Sequence, residues 1–300
     1  MRYISSDKGD FEESEVEPNT NKPLSPQPKF KSNNHIKMYH NFLETHFSHI
    51  LENSSSDFME YVLNILYYLD EIDWVTYYPS TKAKLIEIIS KINSSQNLKQ
   101  ALLRMLGKIC TFSIFIKQPE FAGIVYQTLK SNANEKNNNI LIKNSWVLAN
   151  LCANFTHFEQ FTLEENQEIL SMILSYCSSP KEKLVSNGYR GLGYFVSNNS
   201  DETLVKLLTT GEKGKELLTS LREVYLKPFS SFSVKVCWNV CVSFSNILKY
   251  FKPNFMKIFF SEDLLENLKT ILTTKNNFKT QIHCVEVQNH WNKLIVRCLL

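Results

Sequence analysis

One helical frame recurs along the chain and limits what it can fold into. Residues 235–248, KVCWNVCVSFSNIL, align with 183–196, KLVSNGYRGLGYFV. Both open on Lys and an aliphatic residue, carry Asn at the fifth place, and have a small-large-small triplet at the ninth to eleventh. Residues 139–152, NILIKNSWVLANLC, keep the frame, and copies starting at 97, 57 and 279 keep it more loosely. The steps between starts are 40, 42, 44, 52 and 44 residues. A period of ~40–47 residues marks paired-helix solenoids of the HEAT and armadillo kind, in which each pair hides its apolar face by stacking on the next.

Counted from place 0, places 1, 5, 8, 9 and 12 hold Val236, Val240, Ser243, Phe244 and Ile247 in one copy and Leu98, Leu102, Met105, Leu106 and Ile109 in another. That spacing puts them on one side of a helix of 3.6-residue period. Place 10 is small in four copies, Gly107, Ala149, Gly193 and Ser245. Glycine inside a helix costs ~1 kcal/mol against alanine, so these positions are expected to mark close approach between repeats.

Places 0, 4, 7 and 11 make an adjoining polar ladder. It reads Asn97, Ala101, Arg104, Lys108; Asn139, Lys143, Trp146, Asn150; Lys183, Asn187, Arg190, Tyr194; Lys235, Asn239, Val242, Asn246; and Lys279, His283, Glu286, His290. In a stacked solenoid the second helix of each pair lines the concave face, where partners lie. The expected partner-binding residues are therefore Arg104, Lys108, Lys143, Trp146, Asn150, Lys183, Asn187, Arg190, Tyr194, Lys235, Asn239 and Asn246.

Along the chain, residues 1–34 are acidic up to Glu17 and then Pro-rich, with Pro18, Pro23, Pro26 and Pro28. Such a segment buries too little apolar surface to offset its ordering entropy and is expected to be a disordered arm, with the repeat domain spanning 35–300. Short first helices are expected at 43–51 and 84–92, and another starts at Pro119. The Asn-rich stretch 131–139 is a loop, and Thr162 with Glu165 forms a capping box. The 52-residue step holds an insertion in which Gly211 and Gly214 interrupt one helical piece and a second follows to Tyr225. A last pair is expected at 264–272 and from 278 to the apolar end.

Composition removes several functions. The net charge of +3 is too small by itself to argue for nucleic acid or an anionic membrane. No run of ~18 apolar residues occurs and the first residues form no secretory signal. Seven cysteines, Cys110, Cys152, Cys177, Cys237, Cys241, Cys284 and Cys298, form no disulfide framework, which suggests reduced thiols and a cytoplasmic or nuclear location.

Two copies and the last repeat resemble a known family. KVCWNVCVSFSNIL at 235–248 resembles the Lys-Val-x-Trp-Asn…Gly-Asn motif in the C-terminal region of the HEAT repeat-containing protein 6 family. SWVLANLC at 145–152 resembles that family's Ser-Trp-x-Leu-Gly-Asn-Leu copy, and LKTILTTKNNFKTQIH at 268–283 is similar to its closing repeat. The resemblance covers residues 139–287 in the same order; Ser186 stands where the motif has Trp, and Glu286 where an apolar residue is expected. It implies a helical-repeat protein with no assigned catalytic chemistry.

Trp146 and Asn150 also resemble the Trp-x-x-x-Asn pairs of the importin-alpha armadillo repeats, where Asn bonds a peptide backbone and Trp stacks on Lys stems. Four residues is one helical turn, so both side chains enter one groove. The corresponding pairs Arg104–Lys108, Arg190–Tyr194 and Val242–Asn246 do not repeat the motif, and the ladder is basic. The preference expected from it is for acidic or phosphorylated protein segments, including the chain's own acidic N-terminus. Cys237, Cys241, His283 and Cys284 do not converge as zinc ligands on this helical frame. No Walker or dinucleotide loop, no Gly-x-Ser-x-Gly and no His-Glu-x-x-His occurs. The expectation is an all-α, right-handed α-solenoid of armadillo/HEAT-type pairs without metal, cofactor or catalysis. It would act as a protein-binding scaffold or, alternatively, as a transport-receptor-like carrier of short linear peptides.

Overall fold

The computed structural model describes residues 56–68, 95–112, 119–227, 233–249 and 252–261, with the single positions 263, 264, 266 and 289. Ten α-helices lie within them: α1 (Ser56–Tyr68), α2 (Gln96–Ile109), α3 (Pro119–Asn132), α4 (Asn138–Asn154), α5 (Leu163–Cys177), α6 (Glu182–Asn198), α7 (Asp201–Thr209), α8 (Gly211–Leu226), α9 (Val234–Lys249) and α10 (Pro253–Phe259). The expected arm at 1–34 and the helices at 43–51, 84–92 and from 278 onward lie outside the described residues or nearly so. The helix at 264–272 is described at Leu264 and Glu266 only.

Helix starts follow local chemistry. Ser95 Oγ accepts from the Leu98 amide (3.1 Å), Asn137 Oδ1 from Asn139 (2.9 Å) and Ser200 Oγ from Thr203 (3.0 Å), each satisfying an amide with no intrahelical acceptor. The Thr162–Glu165 capping box closes in both directions, with Thr162 Oγ1 accepting from the Glu165 amide (3.2 Å) and Glu165 Oε2 from the Thr162 amide (2.8 Å). Pro119 opens α3 and Pro253 opens α10, where a missing amide is harmless.

The five second helices α1, α2, α4, α6 and α9 pack side by side in chain order, with α3 on α4 and α5 on α6. Their apolar places are buried as the period requires: Leu102, Met105 and Leu106 in α2, Val147, Leu148 and Leu151 in α4, Leu192, Phe195 and Val196 in α6, and Val240, Phe244 and Ile247 in α9. Each such side chain contributes about 1.5–3 kcal/mol by leaving water. One continuous core runs through the described residues from α1 to Leu264, which makes the architecture an all-α solenoid.

The 52-residue step holds two helices, α7 and α8, as its two apolar runs predict. Gly211, at φ +70°, supplies the left-handed residue between α7 and α8. Gly214 does not interrupt anything: it lies inside α8, where a Cβ would stand 2.9 Å from the Leu207 carbonyl oxygen. The expectation for Gly214 is corrected on that ground, since it marks a close crossing of α7 and α8. In the preceding repeat the place of α7 is taken by a 3₁₀ turn at Phe158–Gln160. Its Phe158 ring packs edge-on against Phe155 (5.1 Å) and Phe195 (5.0 Å).

Helix ends are closed from neighbouring elements. The α2 carbonyls of Leu106, Lys108 and Ile109 accept from Cys110, Thr111 and Phe112, and the remaining one, Gly107, accepts from the Asn150 amide of α4 (2.8 Å). Asn198 of α6 donates to Cys152 at the end of α4 (2.7 Å). Lys252 donates to Val196, Ser197 (3.0 Å) and Asn199 at the end of α6. Lys227 reaches the Cys177 carbonyl of α5 (3.2 Å), Gln167 reaches Leu207 of α7 (3.0 Å), and Arg222 reaches Phe259 of α10 (3.3 Å). Burial pushes the Lys252 pKa down to about 8, with the Asp201 carboxylate opposing the shift. At pH 7 the ammonium therefore keeps three N–H groups for three carbonyls. Lys252→Met keeps the stem and strands those acceptors; urea unfolding at pH 7 is expected to register a loss of about 2–4 kcal/mol, whereas an unchanged midpoint contradicts the capping role.

Candidate binding face

Stacking brings the ladder places of α2, α4, α6 and α9 to one face, and the register between helices decides which side chains stay available. Trp146, at place 7 of α4, lies across Gly107, at place 10 of α2. A Cβ on Gly107 would stand 2.0 Å from Trp146 Cζ3, so the small residue makes room for the ring. At the α1–α2 contact place 10 is Tyr67, and Arg104 and Lys108 lie over its ring at 4.7 and 5.3 Å, a cation–π arrangement. Gly193 faces the backbone itself, since a Cβ there would be 2.6 Å from Ser243 Cα of α9.

The asparagines hold the repeats together. Asn150 is buried; its Nδ2 donates to the Gly107 carbonyl and its Oδ1 accepts from Arg190 Nη2 (2.8 Å). This chain of bonds joins α2, α4 and α6. Asn187 Nδ2 donates to Ser145 Oγ (3.0 Å), and buried Asn239 donates to Ser186 Oγ (2.6 Å). The expectation that Asn150 and Asn239 offer amides to a partner is corrected: both are buried and bonded to the preceding repeat. Burial lowers the Arg190 pKa, opposed by Tyr194 and Cys152. The guanidinium remains charged, since an arginine does not lose its proton in a protein.

The remaining ladder residues reach solvent to different degrees. Lys183 and Lys235 are exposed, and Lys143, Trp146, Asn187, Arg190, Tyr194 and Asn246 are half-buried, as are Arg104 and Lys108 on Tyr67. Asn246, at the same place of α9 as Asn150 in α4, is not fully buried.

Charge divides by layer. α2, α4, α6 and α9 carry eight Lys and Arg against Glu182 alone, while α3, α5, α7, α8 and α10 carry six against nine Asp and Glu. The net +3 of the chain hides this division. α1 adds Asp57 and Glu60 at one end of the ladder. The first turns of α2, α4 and α9 hold no acid, so the positive ends of those helix dipoles add to the lysine charge. Counting charge separately over first and second helices would have revealed the division from sequence; the buried asparagines would have remained hidden.

A hollow of about 230 Å³ lies between α5 and α8 on the acidic layer, lined by serines such as Ser171, Ser175 and Ser220 with Glu223, and no histidine stands in it. Among the described residues no three His, Cys, Asp or Glu gather in a way that could hold a metal ion, and no helix is long and apolar enough to cross a membrane. Cys237 and Cys241 are buried, and His283 and Cys284 lie outside the described residues. Burial pushes the Cys110, Cys152 and Cys177 thiols well above the usual range, which suits packing and not nucleophilic attack. Asn150→Ala is expected to cost about 1–3 kcal/mol, because the Gly107 carbonyl and Arg190 both lose a partner. Asn246→Ala is expected to stay within about 0.5 kcal/mol. Equal effects of the two substitutions on chemical unfolding contradict this division of roles.

No protein-family profile matches the chain. Among solved structures the fold is similar to designed armadillo repeat protein YIII(Dq)4CqI, with TM-score 0.58 and 13% identity over 80% of this chain and 96% of that one. It is also similar to designed armadillo repeat protein YIII(Dq.V1)4CPAF in complex with peptide (KR)4, with TM-score 0.60 and 14% identity over 77% and 90%. A third, described as an engineered protein, has TM-score 0.64 and 16% identity over 83% and 97%. At these identities the likeness concerns the fold: the chain is an armadillo-like α-solenoid.

Proposed function

We propose that this protein is a non-enzymatic binding scaffold acting inside the cell, whose ladder of second helices receives an extended acidic or phosphorylated segment of a protein partner. The observation that carries the reading is the division of charge, eight cationic side chains against one acid on four adjacent helices. Lys183 and Lys235 are exposed on the ladder helices, and Arg190 and Arg104 are held in place by Asn150 and Tyr67. Guanidinium groups fixed in this way suit the paired oxygens of carboxylate and phosphate. The rigid stack supports such a role, because a partner finds the cations already spaced and gives up only its own freedom.

The fold is shared with a designed repeat protein complexed with the peptide (KR)4. That ligand is basic, and the ladder here is basic too, so like-charge repulsion argues for the opposite preference. The carrier alternative, built on the Trp146–Asn150 pair, loses support because the Asn150 amide is engaged by Gly107. The resemblance to the HEAT repeat-containing protein 6 family belongs within the same proposal of a scaffold without catalysis.

Fluorescence anisotropy with labelled 12-residue peptides tests the reading: one acidic, the same sequence with phosphoserine, and one of alternating Lys and Arg. The acidic and phosphorylated peptides are expected to bind, with affinity falling as NaCl rises from 50 to 300 mM. Lys143→Glu with Lys183→Glu is expected to weaken them about tenfold, equivalent to about 1.4 kcal/mol. Preference for the basic peptide, or binding indifferent to salt, overturns the proposal.

A further inference from the structure

The occupant that fits this ladder most directly is in the chain itself. Residues 7–17, DKGDFEESEVE, hold six acids, Asp7, Asp10, Glu12, Glu13, Glu15 and Glu17, against Lys8 alone. No other stretch of this length in the chain is so acidic, and α2, α4, α6 and α9 are the cationic layer of the described fold. The connection is long enough. From Glu17 to Ser56, where α1 begins, there are 39 residues, whose fully extended reach is about 130 Å. Four second helices at ~8–10 Å between axes span about 30 Å. α1 packs on α2, so the tether starts at the edge of the cationic face.

We propose that residues 7–17 occupy the ladder face intramolecularly, so that a partner's acidic segment binds only by displacing them. This rests on the reading of the ladder as an acidic-segment site and adds its regulation. A tether of this length gives the segment an effective concentration on the order of millimolar at the face. A partner binding in the micromolar range then meets a face that is already filled, and its apparent affinity is reduced by the fraction of time the face stands open.

The experiment uses the full chain and a full-length variant carrying Asp7→Asn, Asp10→Asn, Glu12→Gln, Glu13→Gln, Glu15→Gln and Glu17→Gln. The probe is a fluorescein-labelled synthetic peptide of residues 7–17, followed by anisotropy in 50 mM NaCl. The neutralised variant is expected to bind the probe at least about tenfold more tightly than the unaltered chain. Carbodiimide coupling of the unaltered chain is expected to link carboxylates of residues 7–17 to Lys143, Lys183 or Lys235 within one molecule, as judged in a mixture of light and heavy isotope chains. Equal binding of the probe by both chains overturns the intramolecular occupant while leaving the ladder site standing. Links between light and heavy chains overturn it in favour of a second copy. Binding by neither chain overturns the ladder reading as well.

Discussion

A helix that ends inside a stacked protein leaves carbonyl groups that nothing in the helix can satisfy, and this solenoid depends on finding donors for them. α2 closes three of its last carbonyls on its own following amides and gives the fourth, Gly107, to Asn150 of the next repeat. α4 gives Cys152 to Asn198, and α6 gives Val196, Ser197 and Asn199 to Lys252. Each donor lies roughly one repeat further along the chain, so capping is also the connection between repeats. An unpaired buried carbonyl costs about 1–3 kcal/mol, comparable to burying a leucine, and a stack in the wrong register would lose several caps together. The hydrophobic face makes stacking favourable, and the caps make one register of stacking better than its neighbours.

The same constraint separates two kinds of polar residue on the ladder face. An asparagine amide has both a donor and an acceptor on a short, stiff stem, so it bridges a carbonyl below and a guanidinium above, as Asn150 does between Gly107 and Arg190. Lysine at an exposed place has a long stem and a charge that is costly to bury, so Lys183 and Lys235 stay in solvent. Lys252 is the exception, half-way between the two classes: its three N–H groups match three carbonyls closely enough to keep it in the stack although burial lowers its pKa to about 8. The exposed lysines thus keep their charge in water, while the buried asparagines set the spacing between neighbouring helices.

Much of the architecture was legible in the sequence because a helix writes its buried face at i, i+3 and i+4. The frame located α2, α4, α6 and α9, Thr162 announced its capping box, and the small residues at place 10 announced close contacts. What remained hidden was every feature that depends on register between helices. Gly214 and Gly211 look alike in sequence, yet one packs against the Leu207 carbonyl inside α8 and the other turns the chain at φ +70°. Asn150 and Asn246 occupy the same place in the frame, yet Asn150 is buried and doubly bonded while Asn246 is half-exposed. Periodicity reports neighbours within a turn; it carries no information about an acceptor more than 40 residues away.

Placing cations on four adjacent helices has an energetic consequence that links surface charge to the cohesion of the stack. Neighbouring second helices lie ~8–10 Å apart, close to one Debye length at physiological salt, so their like charges repel through only partial screening. That repulsion acts on the same helix contacts that Asn150 and Arg190 close, and it weakens them by tenths of a kcal/mol per pair. An anionic segment lying along the face reverses the sign of the interaction for every helix it crosses. Occupancy and cohesion of the stack are then coupled: whatever binds the ladder stabilises the repeats, and does so more strongly when salt is low. A basic face held by buried amides thus balances the cohesion that keeps the cations in register against a residual repulsion that an anionic segment would relieve.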